Sequence, residues 1–283
     1  MDIFLENRIF NRRGNTMKYS VVIPMFNSAK TILDAINSVF EQTRFDLIDE
    51  IIVVDDGSTD NSVPIVLAKQ ATNDVLKLIK KGHVGAANAR NTGIRIAKND
   101  YIALLDSDDE WLPNKIEIQN KILEMYPEIK ALGSNRTGEI INYGCHYSND
   151  IRKISPFQYC LKNWPCTPSV IFDRKVFSDD MFFPEYMTHV EEGLFFLYLA
   201  HTCGLYYCKE DLVFCGKGKR SFGESGLSGD MKEMHNGVIN LIKIAASKKY
   251  IYDIAVPMLI LFENIKYLRR KIIVKNAICN KNQ

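Results

Sequence analysis

Short apolar runs rich in β-branched residues alternate with helical segments between Tyr19 and Leu105. The runs have the length of buried strands, and in the segments between them apolar residues recur every three or four positions, as in amphipathic helices. Strands that alternate with helices form a mostly parallel sheet. We therefore predict an α/β, Rossmann-like fold with a central sheet flanked by helices. The predicted strands are Tyr19–Phe26, Glu50–Val54, Val75–Ile79 and Tyr101–Leu105, and the predicted helices are Ile32–Phe40, Asn61–Gln70 and Gly85–Ala97.

Polar side chains gather where three of these predicted strands end. The segments are Pro24–Asn27, Asp55–Ser58 and Asp106–Asp109. In open α/β sheets, ligands bind beyond the carboxyl ends of the strands. We therefore expect the three segments to meet in one crevice and to form the functional site.

The most acidic of the three segments follows the fourth strand and contains Asp106, Asp108 and Asp109. Carboxylates this close repel one another unless a positive partner neutralises them. Mg²⁺ and Mn²⁺ take oxygen ligands and often combine one or two carboxylates with substrate phosphates. By itself, a D-x-D pattern fits a metal site and also an acidic surface turn that caps the next helix.

Composition limits the range of functions. The chain has 283 residues and a formal net charge of +2, so nothing in its overall charge attracts nucleic acid, and we expect no such partner. Seven cysteines without a C-x-x-C pair indicate reduced thiols and a cytoplasmic setting. No uninterrupted apolar run reaches the ~18 residues of a membrane span.

The second half of the chain has a different pattern. A helix is expected at Asn114–Met125, after which short apolar runs, among them Glu139–Asn142, suggest a mixed sheet. Glu191–His201 is a predicted helix with two acids at its N-terminal end, where the helix dipole favours negative charge. The glycine-rich stretch Gly216–Gly229 carries several cations and indicates a mobile loop.

Taken in order, these motifs resemble the family 2 glycosyltransferases of the GT-A fold, particularly bacterial enzymes that build surface polysaccharides such as O-antigen and capsule. The resemblance extends from Tyr19 to about Gly229. It is carried by VVIPMFN, VFEQT, EIIVVDDGSTDNS, GAANARNTGI, YIALLDSDDEWLP, TPSVIFDRKVF and the adjacent pair Glu191–Glu192.

The resemblance implies a nucleotide-sugar site with a divalent cation, Mn²⁺ or Mg²⁺. Asp108 would bind the metal directly, while Asp106 would contact the ribose and the metal's water shell. Asp56 would accept a hydrogen bond from a uracil N–H, and Arg90 would lie along the nucleotide. The other residues expected at the nucleotide are Pro24, Phe26, Asn27 and Ser107.

The pair Glu191–Glu192 takes the place of an acidic pair whose second member is usually the general base in the family. Glu192 is therefore the expected base, and Glu191 is expected to orient it or to contact an acceptor hydroxyl. Many relatives have a histidine in the late loop, where this chain has Lys219 and Arg220. We expect these two cations to close over the diphosphate, while His235 is either a substitute metal ligand or an ordinary helix-face histidine.

The implied reaction is inverting, metal-dependent transfer from a UDP-sugar to a hydroxyl of a saccharide acceptor on a lipid carrier. A polyprenyl-phosphate glycosyltransferase, a nucleotidyltransferase and a non-catalytic nucleotide-sugar-binding module are the alternatives. The pair Glu191–Glu192 argues against the first. The second would need a glycine- and lysine-rich phosphate loop after the first strand, and VVIPMFNSAK contains none.

Four segments follow from these assignments. Residues 1–16 are an expected disordered lead-in, with Met17 as a candidate start; residues 17–113 form a nucleotide-sugar-binding half; residues 114–230 form an acceptor-binding half with the base. Residues 231–283 are helical and basic. The stretch from Tyr250 to Lys275 is typical of a segment that contacts an anionic membrane surface, here the inner face of the cell membrane. The same pattern is equally consistent with a helix that packs on the domain or on a second subunit in a homodimer.

Overall fold

A single ten-stranded sheet forms the centre of the protein in the computed structural model, which describes residues 17–139, 144–148, 150–177, 182–187, 190–216 and 229–281, with side chains to residue 276. The strands are β1 (Tyr19–Met25), β2 (Ile48–Asp55), β3 (Leu76–Lys80), β4 (Tyr101–Leu104), β5 (Glu110–Trp111), β6 (Ala131–Arg136), β7 (Cys145–Ser148), β8 (Ile151–Ile154), β9 (Ile171–Asp173) and β10 (Leu205–Phe214). The α-helices are α1 (Ile32–Phe40), α2 (Ser62–Gln70), α3 (Ala86–Ile96), α4 (Lys115–Met125), α5 (Pro156–Leu161), α6 (Glu191–Thr202), α7 (Met231–Ser247) and α8 (Val256–Lys281).

The first half of the sheet is parallel, in the order β3-β2-β1-β4, as predicted. β1 is buried along its whole length, and its two neighbours in the sheet bring their carboxyl ends to the same edge. Helices α1 and α3 cover this part of the sheet, with the apolar side chains of α1 turned inward. The alternation of strands and helices in the sequence thus corresponds to the observed architecture.

The second half of the sheet is mixed, as expected. β9 pairs antiparallel with both β4 and β6, so the sheet continues without a break into β6, β10, β8 and β7. The pattern of the sequence did not predict β10, although it pairs with three other strands. Its apolar run is interrupted by Lys209, Glu210 and Asp211, and the register with β6 shifts at this point. Of the predicted apolar run at 139–142, residues 140–142 lie outside the described residues.

The last two helices pack on the second half of the protein. α7 buries Leu241, Ile242 and Ala245 and contacts both α5 and α6. α8 packs against α7 and α5 through one side, on which Leu259 is buried. Within the described part of the chain, no helix is both long enough and apolar enough to span a membrane.

Gly93 allows α3 to approach β1 closely. A Cβ atom at this position would lie 2.5 Å from Cγ1 of Val22, a side chain that is fully buried. Val22 cannot move aside easily, since its χ1 angle is restricted by branching at Cβ. We expect Gly93→Ala to destabilise the protein by about 1–3 kcal/mol through overpacking, despite the higher helix propensity of alanine.

Urea unfolding of a double-mutant cycle tests this packing. Val22→Ala makes room at the contact, so Gly93→Ala should cost much less in that background than in the wild-type protein. Equal costs in both backgrounds, or a stabilising Gly93→Ala, would show that the contact does not limit the approach of α3 to the sheet.

Candidate active site

The acids that follow β4 form a tight turn at the carboxyl edge of the sheet. The backbone N–H of Asp109 donates to the carbonyl of Asp106, and the Oδ1 atom of Asp109 accepts from the N–H of Gly216 at 2.6 Å. Burial, together with the charges of Asp106 and Asp108, raises the pKa of the Asp109 carboxyl to about 8. Asp109 thus links the turn to Gly216, in the segment that follows β10.

Arg90 connects this turn to the acidic start of α6. Its two terminal nitrogens donate to Asp106 Oδ1 at 2.8 Å and to Glu191 Oε1 at 3.0 Å. The guanidinium is buried and lies 5.3 Å from the centre of the Phe183 ring. Although burial opposes its charge, the carboxylates of Asp106 and Glu191 raise the pKa of Arg90 above its usual range. One buried cation therefore holds together two acids that are distant in sequence.

Glu191 and Glu192 occupy the first turn of α6. Val190, the residue before them, has a φ of 60°, in the left-handed region that β-branched residues rarely adopt. Such backbone strain is concentrated at functional sites. Glu191 is buried against Arg90, and Glu192 is half-buried beside it. Burial, followed by the charge of Glu191, raises the pKa of the Glu192 carboxyl to about 7, which suits a general base near neutral pH.

A cleft of about 680 Å³ opens next to the acids, between the end of β1 and the start of α2. Phe26, Asn27, Ser107 and Asp108 contribute to its walls. Asn27 has a φ of 48°, and its Oδ1 atom accepts from the N–H of Thr59. The Ser107 hydroxyl is 2.7 Å from that of Ser28. The expected donor-site residues after β1 and after β4 thus share one cleft, and Pro24 lies just before them in β1.

Asp56 is buried directly after the end of β2 and is not one of the residues that line this cleft. Its carboxylate accepts from the backbone N–H groups of Val84 at 2.8 Å and Gly85 at 2.9 Å, which fixes the loop that leads into α3. The same carboxylate is 3.0 Å from Nδ1 of His83. The imidazole of His83 also stacks on the Phe26 ring, with centroids 4.3 Å apart.

The sequence did not single out His83 as a site residue. The signal that could have identified it is its position just beyond β3, because all four parallel strands send their following loops to the same edge of the sheet. The loop after β3 was not among the three segments that were expected to form the crevice, which follow β1, β2 and β4.

Three residues that were considered for the site are not part of it in the described structure. His235 stacks on Tyr267 and lies 3.7 Å from Glu263, so its partners are on α8. These contacts are those of a helix-face histidine, the second of its two expected roles. Lys219 and Arg220 lie outside the described residues.

The acid turn fits a divalent cation that shares its ligands with a substrate. The described residues contain no group of three or more histidine, cysteine, aspartate or glutamate side chains placed to hold a metal alone. Asp106 and Asp108 are two carboxylates, the number that Mg²⁺ or Mn²⁺ commonly combines with substrate phosphates. Burial is the main cause of the raised pKa of Asp109, and the charges of Asp106 and Asp108 add to it; a bound cation would offset that second contribution.

The sequence of the chain matches those of known glycosyltransferases. The glycosyl transferase family 2 model matches residues 20–174, more than half of the chain. An uncharacterized glycosyltransferase of Nostoc sp. is 39% identical over 128 residues, which are 44% of this chain and 38% of that protein. The Escherichia coli UDP-Glc:alpha-D-GlcNAc-diphosphoundecaprenol beta-1,3-glucosyltransferase WfgD is 37% identical over 123 residues, which are 41% of this chain and 47% of WfgD. The matched regions thus span less than half the length of both relatives.

Solved structures match a larger part of the chain. The 1–349 fragment of S. aureus TarS, in complex with UDP-GlcNAc, superposes with a TM-score of 0.62 at 18% identity, covering 86% of this chain and 70% of that chain. The mannosyltransferase PcManGT from Pyrobaculum calidifontis, in complex with GDP-Man and Mn²⁺, gives a TM-score of 0.61 at 16% identity, with coverages of 93% and 79%. The chain therefore belongs to glycosyl transferase family 2 and has the GT-A fold.

Proposed function

We propose that the protein is an inverting, metal-dependent glycosyltransferase that transfers a sugar from a UDP-sugar to a hydroxyl group of a lipid-linked saccharide. The observation that carries the proposal is the contact of Arg90 with both Asp106 and Glu191. It brings the acids of a donor site and the acids of a catalytic pair into one group. Sugar transfer needs both, because the leaving group carries negative charge and the attacking hydroxyl must lose a proton.

The donor is proposed to bind in the cleft beside Phe26 and Asp108. An exposed aromatic ring offers a stacking surface for a nucleobase, and Asp56 is the proposed acceptor for a base N–H. A uridine nucleotide is favoured because the name of WfgD includes UDP-Glc and TarS was solved with UDP-GlcNAc. PcManGT was solved with GDP-Man, so the GT-A fold alone does not select the base.

Asp108 is proposed to bind Mn²⁺ or Mg²⁺ directly, and Asp106 is proposed to bind it through the ion's water shell. When bound there, the ion would supply positive charge against the negative charge that develops on the departing diphosphate. Arg90 holds the Asp106 carboxylate in place, and Asp109 supports the turn that carries both acids. Lys219 and Arg220 stay the predicted cations that close over the diphosphate.

Glu192 is the proposed general base. The acceptor hydroxyl oxygen attacks the anomeric carbon while its proton passes to the Glu192 carboxylate, and the bond from that carbon to the diphosphate oxygen breaks. Attack from the side opposite the leaving group inverts the configuration at the anomeric carbon. The neighbouring Glu191 accepts a hydrogen bond from Arg90. Glu192 is therefore the member of the pair that is proposed to accept the proton.

The acceptor is proposed to be a saccharide on a lipid carrier in bacterial polysaccharide synthesis. The support comes from the name of WfgD, which specifies a diphosphoundecaprenol acceptor, and from a match to chondroitin synthase of E. coli at 35% identity over 99 residues.

Calorimetric titration of UDP, GDP and dTDP, each with Mn²⁺ and with EDTA, tests the donor site. We expect UDP to bind best and to lose about tenfold or more in affinity when the metal is removed or when Asp108 is changed to Asn. Asp100→Asn is the matched control, since Asp100 precedes β4 at the opposite end of the strand. Metal-independent binding would contradict the role of Asp108, and a preference for another base would contradict the role of Asp56.

Glu192→Gln should lower kcat by ~10²–10⁴ and leave UDP affinity unchanged, because it removes the base but not the donor site. In the wild-type enzyme, kcat/KM should rise with pH and level off above about 7. Glu192 accepts a proton only when ionised, and burial raises its pKa to about 7. The variant should lack this rise, which steady-state kinetics over a pH series will measure.

Glu191→Gln is the comparison variant for this assignment. It weakens the contact with Arg90 but leaves the Glu192 carboxylate, so the rise in activity with pH should persist at a lower kcat. If Glu192→Gln retains most of the activity while Glu191→Gln loses it, the assignment of the base is wrong.

His83 should compete with the nucleobase. Its imidazole already stacks on Phe26 and contacts the Asp56 carboxylate, the two interactions proposed for a uracil ring. A base that uses both must displace His83, so His83→Ala should tighten UDP binding by about two- to tenfold. His201→Ala is the matched control, because His201 makes a similar stack on Tyr250. Weaker UDP binding by His83→Ala would mean that His83 contacts the base directly.

A further inference from the structure

The outward face of α8 carries a continuous apolar stripe. Its members are between 42% and 61% exposed, although each is large and apolar. At 3.6 residues per turn, their spacing of three and four positions places them within an arc of roughly 120°. Apolar side chains that are clustered in this way, unlike scattered ones, mark an interaction surface. This outer stripe consists of Met258, Leu261, Phe262, Ile265, Leu268 and Ile272.

The charges of α8 are sorted between its two sides. Its single acid, Glu263, is 1% exposed and faces inward, where it pairs with Lys266 at 2.6 Å and Arg270 at 3.2 Å. The exposed charges of α8 among the described side chains are Arg269, Lys271 and Lys275, all of them positive. The side of the helix that faces solvent therefore combines a row of apolar groups with cations and carries no acid.

We propose that the outer stripe of α8 is a binding surface for an anionic lipid bilayer. The helix would lie in the plane of the interface, with its apolar side chains inserted at the level of the headgroups and its cations paired with lipid phosphates. Amphipathic helices with cations beside an apolar face bind membranes in this way. Each cation near an anionic surface adds to the attraction.

A second copy of the chain fits this face less well. The spacing of Met258, Leu261, Ile265, Leu268 and Ile272 does match the apolar seam of a coiled coil. In such a seam, however, the flanking positions usually carry opposite charges that pair between the helices. Here those positions supply only cations or uncharged residues, and the next seam position is a lysine. Two copies would therefore set like charges against each other, whereas an anionic bilayer offers a counter-charge to every cation.

The position of α8 gives such binding a consequence for the whole protein. α8 packs on α5 and α7, and both of these helices contact α6, which begins with Glu191. A bilayer bound to α8 would hold the second half of the protein close to the membrane surface. The proposal does not depend on the proposed catalytic function, because lipid binding can be measured without a donor or an acceptor.

Vesicle co-sedimentation of the full chain is the direct test. The protein should bind vesicles that contain phosphatidylglycerol and bind pure phosphatidylcholine vesicles much more weakly. Changing Leu261, Ile265 and Leu268 together to Ser should lower the partition coefficient on anionic vesicles by about tenfold or more. Changing Arg269, Lys271 and Lys275 together to Gln should also lower it by about tenfold or more, and high salt should weaken wild-type binding.

The matched control changes Leu33, Leu67 and Met125 together to Ser, since these side chains are similarly exposed but lie on α1, α2 and α4. It should bind vesicles as the wild type does. Circular dichroism and thermal unfolding of each variant establish that it is folded.

Failure of the wild type to bind anionic vesicles would overturn the proposal, and so would equal binding by the stripe variant and the wild type. Light scattering without vesicles adds a separate outcome. A wild-type dimer that the stripe variant converts to a monomer, with no vesicle binding, would assign the surface to a second copy and overturn the lipid assignment.

Discussion

The two halves of the protein are joined at the site by one buried cation. Arg90 lies between Asp106, which follows β4, and Glu191, which begins α6. Glu191 is 101 residues from Arg90 in the sequence. A buried charge is costly unless it is paired and hydrogen-bonded, and the planar guanidinium can reach two carboxylates at once where a lysine would offer a single point of charge. Replacing buried ion pairs by apolar groups is often not destabilising, so stability alone does not account for this contact. Its effect is to set the distance between the acids that follow β4 and the pair Glu191–Glu192.

The charges around this contact also influence the carboxyl pKa values of the two remaining acids, Asp109 and Glu192. Arg90 supplies one positive charge to Asp106 and Glu191, while the buried Asp109 and the half-buried Glu192 lie near these acids. Their carboxyl pKa values rise to about 8 and about 7, in each case through burial first and the charge of neighbouring acids second. The shifts have different uses. At Glu192 a pKa near neutrality suits proton transfer, whereas at Asp109 part of the rise comes from neighbouring negative charge that a divalent cation can offset.

Local pattern was sufficient for the parallel half of the fold and for the edge at which the site forms. β-branched runs, helical spacing and the rule that ligands bind at the carboxyl ends of the strands were enough to assign Asp56, Asp106 and Asp108 to one edge of the sheet. What the sequence could not supply depends on long-range contacts. The partner of Arg90 on α6, the pairing of β10 with three strands and the stack of His83 on Phe26 all join residues far apart in the chain. No local periodicity carries such information, because it arises only when the sheet assembles.

The placement of Glu191 and Glu192 depends in turn on a contact that leads toward the C-terminal helices. A Cβ atom at Gly193, directly after Glu192, would lie 2.7 Å from the Leu241 side chain of α7. A glycine at this position therefore lets α7 pack tightly against the first turn of α6, beside the strained backbone of Val190. α7 is itself packed against α8. The helix with the outer stripe and the turn with Glu191 and Glu192 are thus separated by a single layer of helix, whose side chains pack closely against both.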